Sequence, residues 1–98
     1  MIEQFAICTY SSSLVVILTN TIFNDVESIL VAPIKQRHDG GLIKKLQIPC
    51  DIDNTRYYVD LLDIATVSKR RLKRLAERDL SLFRNDIKAG IDFLIDGF

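Results

Sequence analysis

The C-terminal stretch reads SLFRNDIKAGIDFLIDGF over residues 81–98 and carries the clearest secondary-structure pattern of the chain. Its apolar side chains recur at spacings of three and four residues, which places them on one face of an α-helix. The members of this apolar stripe are Phe83, Ile87, Ile91, Leu94 and Phe98. Ser81 is a typical N-cap residue, and Gly97 lies where a helix usually ends. We therefore expect an amphipathic C-terminal helix that begins at Ser81.

The residues before this helix favour strands and turns. β-Branched, aromatic and other apolar residues are frequent in five runs. These predicted strands cover residues 4–10, 14–19, 28–34, 46–50 and 56–62. Pro33 indicates an edge strand or a bulge, and residues 35–45, with Gly40 and Gly41, are expected to form a mobile loop. Short strands followed by one helix predict an α+β fold with a strongly bent antiparallel sheet or small barrel.

Length and composition indicate one domain that covers residues 1–98. The chain has 98 residues, of which 48% are hydrophobic, and this is enough for one small core. Its net charge of zero argues against binding of nucleic acid by overall electrostatics, and no sequence-specific nucleic-acid binding is expected. We recognise no signal peptide and no apolar run near about eighteen residues, which predicts a soluble, cytoplasmic protein without a membrane partner.

Few residues offer catalytic or metal-binding chemistry. His38 is the only histidine and lies beside Asp39 in the glycine-bearing loop, but no motif ties a Ser or Cys nucleophile to it. The acidic pairs of the chain lack the glycine and the closing Glu of a calcium loop. Cys8 and Cys50 are too few for a disulfide scaffold and are expected to be buried, reduced thiols. We therefore predict no catalytic residue, no metal site and no cofactor.

A basic run, residues 69–74, is the strongest electrostatic feature of the sequence. It reads Lys69-Arg70-Arg71-Leu72-Lys73-Arg74, and Arg78 follows it. One interpretation is a solvated face around Leu72, Leu75 and Ala76. The other is a surface that attracts an anionic partner, either nucleic acid or an acidic disordered segment. Because the whole chain is neutral, the field of this run is local and extends about 8–10 Å at physiological salt.

The C-terminal stretch also resembles a known family. The residues similar to the C-terminal helix of the CcdB family are Asp79-Leu80-Ser81, Asn85-Asp86-Ile87-Lys88, Ile91 and Gly97. CcdB proteins are bacterial toxins that poison DNA gyrase and are neutralised by a CcdA antitoxin. The similarity is specific over residues 79–98 and weaker before them, where the strand ending at Tyr10 and the apolar residues 31–34 are similar.

The resemblance implies a single CcdB-like domain, in which a small SH3-like barrel of the CcdB/MazF kind carries the helix. It implies a homodimer whose two C-terminal helices meet near the dimer axis and insert between gyrase A subunits. This insertion traps the gyrase–DNA cleavage complex without chemistry by the toxin. The implied partners are therefore a CcdA-like antitoxin and the A subunit of DNA gyrase. A dimer also agrees with Leu82 and Phe93, two apolar residues that lie off the apolar stripe.

The end of the chain departs from this family. Gyrase-poisoning members end in Trp-Gly-Ile, whereas this chain ends in Asp96-Gly97-Phe98. An acid replaces the aromatic ring that stacks on gyrase, and it faces the negative end of the helix dipole. By resemblance, these three residues are the target-binding element. The replacement leaves open a shifted target, a weakened toxin and a non-toxic copy that only binds antitoxin.

Two further hypotheses concern the basic residues. CcdA-like antitoxins wrap their toxins with a flexible C-terminal segment, and we assign the capture of that segment to Lys69, Arg70, Arg71 and Arg74. The alternative function is an RNA-cleaving toxin, since the related MazF and Kid toxins share this kind of barrel. Its only candidate residues are His38 with Arg56 or Arg70, which make no convincing acid/base pair. A non-enzymatic toxin is therefore the favoured prediction.

Overall fold

The fold combines one antiparallel sheet with one α-helix. The computed structural model of the chain describes residues 3–23 and 25–97, and at residues 76 and 77 it describes only the backbone. The elements within these residues are β1 (Ala6–Tyr10), β2 (Ser13–Ile17), β3 (Ser28–Gln36), β4 (Gln47–Ile52), β5 (Thr55–Asp60), β6 (Ala65–Ser68), β7 (Lys73–Asp79) and α1 (Arg84–Asp96). The predicted α+β fold, with a strongly curled antiparallel sheet and a C-terminal helix, is confirmed.

The sheet curls because its central strand changes partner. The strands lie in the order β4-β5-β3-β2-β1-β7, and β6 pairs with β3 off this path. Along one edge of β3, residues 28–31 pair with β6 and residues 34–36 pair with β5. Pro33 belongs to neither of these two ladders and lies opposite Val15 of β2. Its prediction as an edge position is wrong, because the missing N–H falls between two ladders of a central strand.

Two strands escaped the sequence prediction. The basic run lies in a 3₁₀ turn, Lys69–Arg71, and in the first residues of β7. β7 has few β-branched or aromatic residues, so its composition does not favour a strand. Pairing with β1 overrides this preference, since Cys8 lies opposite Arg74 and Thr9 opposite Lys73. β6 contains Thr66 and Val67, which favour a strand, and it forms a four-residue ladder with β3.

Both faces of the central strands are buried, which explains their nearly continuous apolar runs. Ile7, Val16 and Ala32 point into one core. Their neighbours in sequence point to the opposite face, because side chains alternate along a strand. That second core contains Ala6, Cys8, Val15, Ile17, Ile29, Val31 and Leu72. The curled sheet therefore has a larger core under α1 and a smaller one behind it.

α1 begins later than predicted and ends where predicted. Residues Ser81–Phe83 form a 3₁₀ turn, and the α-helix starts only at Arg84. Ser81 does not cap the helix, because the Asp79 carboxylate accepts hydrogen bonds from its backbone N–H (3.0 Å) and its hydroxyl (2.7 Å). Gly97 has a left-handed φ of 79° and its N–H donates to the Phe93 carbonyl at 2.8 Å. The predicted glycine C-cap is confirmed.

The buried face of α1 differs in part from the predicted apolar stripe. Ile87 is fully buried and Phe83 and Ile91 are half-buried, as expected. Leu94, however, is 41% exposed, whereas Phe93 is half-buried. Phe93 faces a groove between α1 and β4, where the Lys45 ammonium lies 5.3 Å from the centre of its ring, whereas Leu94 does not line that groove. Phe98, the last predicted member, lies outside the described residues.

A buried acid orients the turn that receives α1. Asp60 accepts hydrogen bonds from the Lys35 ammonium at 2.8 Å and from the backbone N–H of Leu62 at 3.1 Å. The second bond caps the 3₁₀ turn Leu61–Asp63, whose residue Leu61 is fully buried against α1. The hydrogen bond to Asp60 is the largest cause of the raised pKa of Lys35. The pairing also offsets the cost of burying a carboxylate.

Gly90 allows α1 to lie directly against this turn. An ideal Cβ built at Gly90 would collide with the Leu61 side chain and with the backbone carbonyl of Lys45. Its φ is not in the left-handed region, so the requirement is space rather than backbone conformation. Any side chain at this position would push the helix away from the sheet.

Replacing Gly90 by Ala should therefore destabilise the protein despite the better helix propensity of Ala. We expect a loss of about 1–3 kcal/mol in the free energy of unfolding, as for overpacking in a tight core. Urea denaturation followed by circular dichroism measures it.

The matched control is Gly41→Ala, because a Cβ at Gly41 would meet nothing within 4 Å and its φ is not positive. That change should be neutral or stabilise by about 0.4–1 kcal/mol through the unfolded state. Equal effects of the two substitutions would contradict the proposed close contact at Gly90.

Candidate functional site

The C-terminal end of α1 projects from the domain. Asp96 and Gly97 are exposed, and the neighbouring Ile95 is 75% exposed. Phe98, the third residue predicted to bind the target, lies outside the described residues. The described part of this end thus presents an apolar side chain next to a carboxylate, with the chain turned by the left-handed Gly97. Sequence reasoning identified Asp96 and Gly97 but missed Ile95, which it did not assign to either face of the helix.

A second exposed apolar residue lies at the other end of the helical segment. Leu82 is 95% exposed in the 3₁₀ turn that precedes α1. Phe93 is the other apolar residue that lies off the predicted apolar stripe. It is half-buried, and the Lys45 ammonium lies 5.3 Å from the centre of its ring. Leu82 therefore retains the unpaired apolar surface that suggested a homodimer, whereas Phe93 is partly covered within the chain.

An apolar groove separates α1 from β4. It has a volume of about 450 Å³ and is open to solvent. The residues that line it are Lys45, Gln47, Ile48, Pro49, Asp86, Ala89, Gly90, Asp92 and Phe93. The groove exists because Gly90 and Ala89 leave the helix surface low between the larger side chains.

The basic run is spread over a turn and a strand rather than one helical face. Arg71 stacks over the Tyr10 ring at 4.9 Å and donates to the Ser11 hydroxyl at 3.2 Å. Three other arginines lie near acids: Arg70 3.6 Å from Glu27, Arg74 3.7 Å from Glu3, and Arg78 2.5 Å from Asp53. All four ion-pair or stacking contacts lie at the surface, where such contacts contribute about 0–1 kcal/mol. The run is thus a partly neutralised, solvent-facing edge.

The two cysteines are free and buried, as predicted. Burial raises the pKa of Cys8, although the Arg74 guanidinium opposes part of this effect. Burial, together with the Asp51 carboxylate, raises the pKa of Cys50 to about 11. Both thiols are therefore protonated near neutral pH and poor nucleophiles.

Near the loop after β3, the structure brings together residues that lie apart in the sequence. A polar cavity of about 450 Å³ is lined by Arg37, His38, Asp39, Gly40, Gly41 and Arg56. Two candidates for an RNA-cleaving site, His38 and Arg56, therefore share one cavity, whereas Arg70 lies beside Glu27. Sequence reasoning missed Arg37, because Arg37 meets Arg56 only through the pairing of residues 34–36 with β5, which continues to these two residues.

Comparison with known proteins decides the family. The family model described as CcdB protein matches residues 6–97 of this chain. This chain belongs to the CcdB family. Its members are the toxins of toxin–antitoxin systems, so the resemblance that was drawn from the C-terminal helix is confirmed and extends over nearly the whole chain.

The CcdB-family fold also recurs in a solved toxin structure. A structure described as "Crystal structure of Mtb toxin" is similar to this chain with a TM-score of 0.70 and 20% sequence identity. The similarity covers 87% of this chain and 94% of the Mtb toxin chain, and at this identity it concerns the fold alone. A comparison with curated proteins found no significant match. Among the described residues of this CcdB-family chain, no helix is both long enough and apolar enough to span a bilayer.

The raised pKa of Cys50 predicts a loss of stability at alkaline pH. In the unfolded chain the thiol ionises near its ordinary pKa of about 8.5, whereas in the folded chain it holds its proton up to about pH 11. Between these values the folded state binds more protons, so the free energy of unfolding falls as pH rises, by at most about 1.4 kcal/mol per pH unit.

Cys50→Ala should show a shallower fall than the wild type in urea titrations across this window. Identical slopes would contradict the assignment, and Cys8→Ala serves as the comparison that keeps Cys50.

Proposed function

We propose that this CcdB-family protein is a toxin that binds the A subunit of DNA gyrase and traps the gyrase–DNA cleavage complex. The observation that carries the proposal is the projecting C-terminal end of α1, where Ile95, Asp96 and Gly97 are exposed in a chain of this family. Family members use the corresponding end to reach gyrase. We further propose a cytoplasmic location, because gyrase acts on chromosomal DNA.

The proposed action is binding without chemistry by the toxin. Two copies of the chain place their C-terminal ends side by side, and this double end inserts between the two gyrase A subunits. Support for a homodimer comes from Leu82, Leu94 and Ile95, which expose apolar surface along the helical segment. A second copy is a ready means of covering such surface.

Asp96 alters the surface that meets the target. Loss of the stacking ring removes a contact that contributes about 0.5–2 kcal/mol. Ile95, next to it, supplies apolar contact area, and Asp96 adds a negative charge at the end of α1. A gyrase surface with a cation at this position would retain affinity, whereas a purely apolar one would bind this toxin more weakly.

Removing residues 96–98 should abolish growth inhibition and the trapping of gyrase–DNA cleavage complexes, measured as linearised plasmid after protein denaturation. We expect the melting temperature to change little, because Asp96 and Gly97 are exposed and add little to the core. Asp96→Trp should increase trapping by restoring a stacking ring.

The control is Lys88→Ala, an exposed change in the middle of α1 that should trap as the wild type does. Sedimentation at micromolar concentration must show the same dimer for every variant. If neither the wild type nor Asp96→Trp traps gyrase while both are folded and dimeric, gyrase is not the target.

We also propose that a CcdA-like antitoxin binds at the basic run. Arg70 and Arg71 are exposed on the turn Lys69–Arg71, and Arg74 follows on β7. Glu27 lies 3.6 Å from Arg70 and Glu3 lies 3.7 Å from Arg74 in surface contacts, which an acidic peptide can replace at low cost. Lys69 belongs to the same turn and adds positive charge to this edge.

Changing Arg70, Arg71 and Arg74 together to Ser should weaken the binding of an acidic antitoxin peptide. It should also flatten the dependence of affinity on salt, because fewer charge contacts form in the complex. Fluorescence anisotropy at several salt concentrations measures both effects. Arg78→Ser is the control, since Arg78 already pairs with Asp53 at 2.5 Å and should contribute less. An unchanged affinity and salt slope in the triple variant would leave the run as a solvated face.

A further inference from the structure

Two arginines face each other on the outer surface of the sheet. The ladder between β3 and β5 pairs Lys35 with Tyr58 and Gln36 with Tyr57. It continues by one residue, because the Arg37 N–H donates to the Arg56 carbonyl at 2.9 Å. Residues directly opposite in an antiparallel pair share a face, and like charges there destabilise the pair. The fold therefore places two cationic side chains on directly opposite positions of one face.

No side chain in the described part of the protein offsets this repulsion. Neither Arg37 nor Arg56 forms an ion pair or a side-chain hydrogen bond among the described residues. Two acids are close by in the fold: Asp51 lies opposite Arg56 on β4, and Asp39 lines the same cavity. Both carboxylates nevertheless remain more than 4 Å from the two guanidinium groups, although Asp51 lines a second cavity with both arginines, so neither guanidinium has an ion-pair partner among the described residues.

Two glycines line the cavity. A Cβ at Gly40 or Gly41 would meet nothing within 4 Å, and neither residue has a positive φ. The space beside the loop is therefore open, and the bare backbone allows a ligand to approach it closely. The cavity, about 450 Å³, has ample room for a phosphate group beside the two guanidinium groups.

An aromatic ring lies beside the arginine pair. Tyr58 and Arg56 are on the same face of β5, two residues apart, which is about 7 Å along a strand. Tyr58 lines an adjoining cavity of about 220 Å³, which shares His38, Gly40 and Gly41 with the first. Gln47 also lines it, and its carbonyl oxygen accepts from the Ile43 N–H, so its amide group remains available as a donor. A planar ring and an amide donor next to paired arginines match a base and its phosphate.

We propose that this face of the sheet binds a nucleotide. Arg37 and Arg56 hold the phosphate group between their guanidinium groups, and the base stacks on the Tyr58 ring. Recognition by phosphate and ring contacts carries no readout of base sequence, in keeping with the expected absence of sequence-specific nucleic-acid binding. The source is either a free mononucleotide or a single strand. The proposal does not depend on gyrase binding.

Isothermal titration calorimetry of the full chain with AMP at low salt tests the phosphate contacts. Arg37→Gln and Arg56→Gln should each weaken AMP binding at least about tenfold, since each removes a charged donor fork from the phosphate. Lys88→Gln, which removes an exposed cation on α1, should weaken it less than about twofold. The proposal fails if the wild type binds neither AMP nor an oligonucleotide, or if Lys88→Gln loses as much affinity as the other two.

Further ligands separate the phosphate from the base. Adenosine should bind at least about tenfold more weakly than AMP because it lacks the charged group. Tyr58→Leu should weaken AMP binding and leave the binding of inorganic phosphate unchanged. Equal affinities for adenosine and AMP, or no effect of Tyr58→Leu on AMP, would overturn the assignment of a nucleotide. A short single-stranded oligonucleotide without terminal phosphates tests the source: tighter binding than AMP indicates a strand, and weaker binding indicates a mononucleotide.

Protein stability provides an independent readout. If the arginine pair is held for a ligand, Arg56→Gln should leave the melting temperature unchanged or raise it, because it removes like-charge repulsion. Added phosphate should raise the melting temperature of the wild type and have a smaller effect on Arg56→Gln. A lower melting temperature in Arg56→Gln, with equal phosphate effects in both proteins, would show that Arg56 has a structural role. Arg56→Lys keeps the charge without the planar guanidinium. The effect of phosphate on its melting temperature should therefore lie between the effects on the wild type and on Arg56→Gln.

Discussion

The close contact of α1 at Gly90 with Leu61 and the Lys45 carbonyl is the constraint on which the rest of the structure depends. α1 is the only α-helix among the described residues, and the larger core lies between it and the curled sheet. Leu61 can reach this contact because Asp60, held by the Lys35 ammonium, caps the turn that carries it. The missing side chain at position 90 therefore sets how closely the helix packs, and through that the direction in which its end projects.

This geometry distributes the candidate binding surfaces over separate parts of the molecule. Ile95, Asp96 and Gly97 at the end of α1 are exposed, and none of them belongs to either core. The basic run follows β6, and its last residues begin β7, the strand that pairs with β1. The arginine pair lies on the outer face of β3 and β5, where those strands pair only with each other and β4. A small CcdB-family chain can thus present different chemistry on different faces of one fold.

The partner change of β3 produces the curl and explains why local sequence patterns were insufficient. β3 exchanges β6 for β5 around Pro33, a residue that local rules assign to an edge. β7 is a strand although its residues do not favour one, because it pairs with β1, with a shift of register between Ala6 and Cys8. Ser81 has the preferred side chain for an N-cap, yet Asp79 holds its hydroxyl and N–H and delays the helix by one turn. In each case a partner distant in sequence, or a competing acid nearby, outweighed a local preference of about 1 kcal/mol.

The sequence by itself determined the α+β class, five of the strands, the helix with its end at Gly97, the buried thiols and the family. It could do so because periodicity, turn residues and a specific C-terminal stretch are local properties of the chain. By resemblance it also marked Asp96, Gly97 and Phe98 as the target-binding element, which stays a prediction. Only the tertiary structure decided that Phe93 is half-buried while Leu94 is exposed, since that depends on which side of α1 faces β4 and Lys45. Only the tertiary structure paired Arg37 with Arg56, because residues nineteen positions apart meet through strand register, and register follows from the packing of both cores.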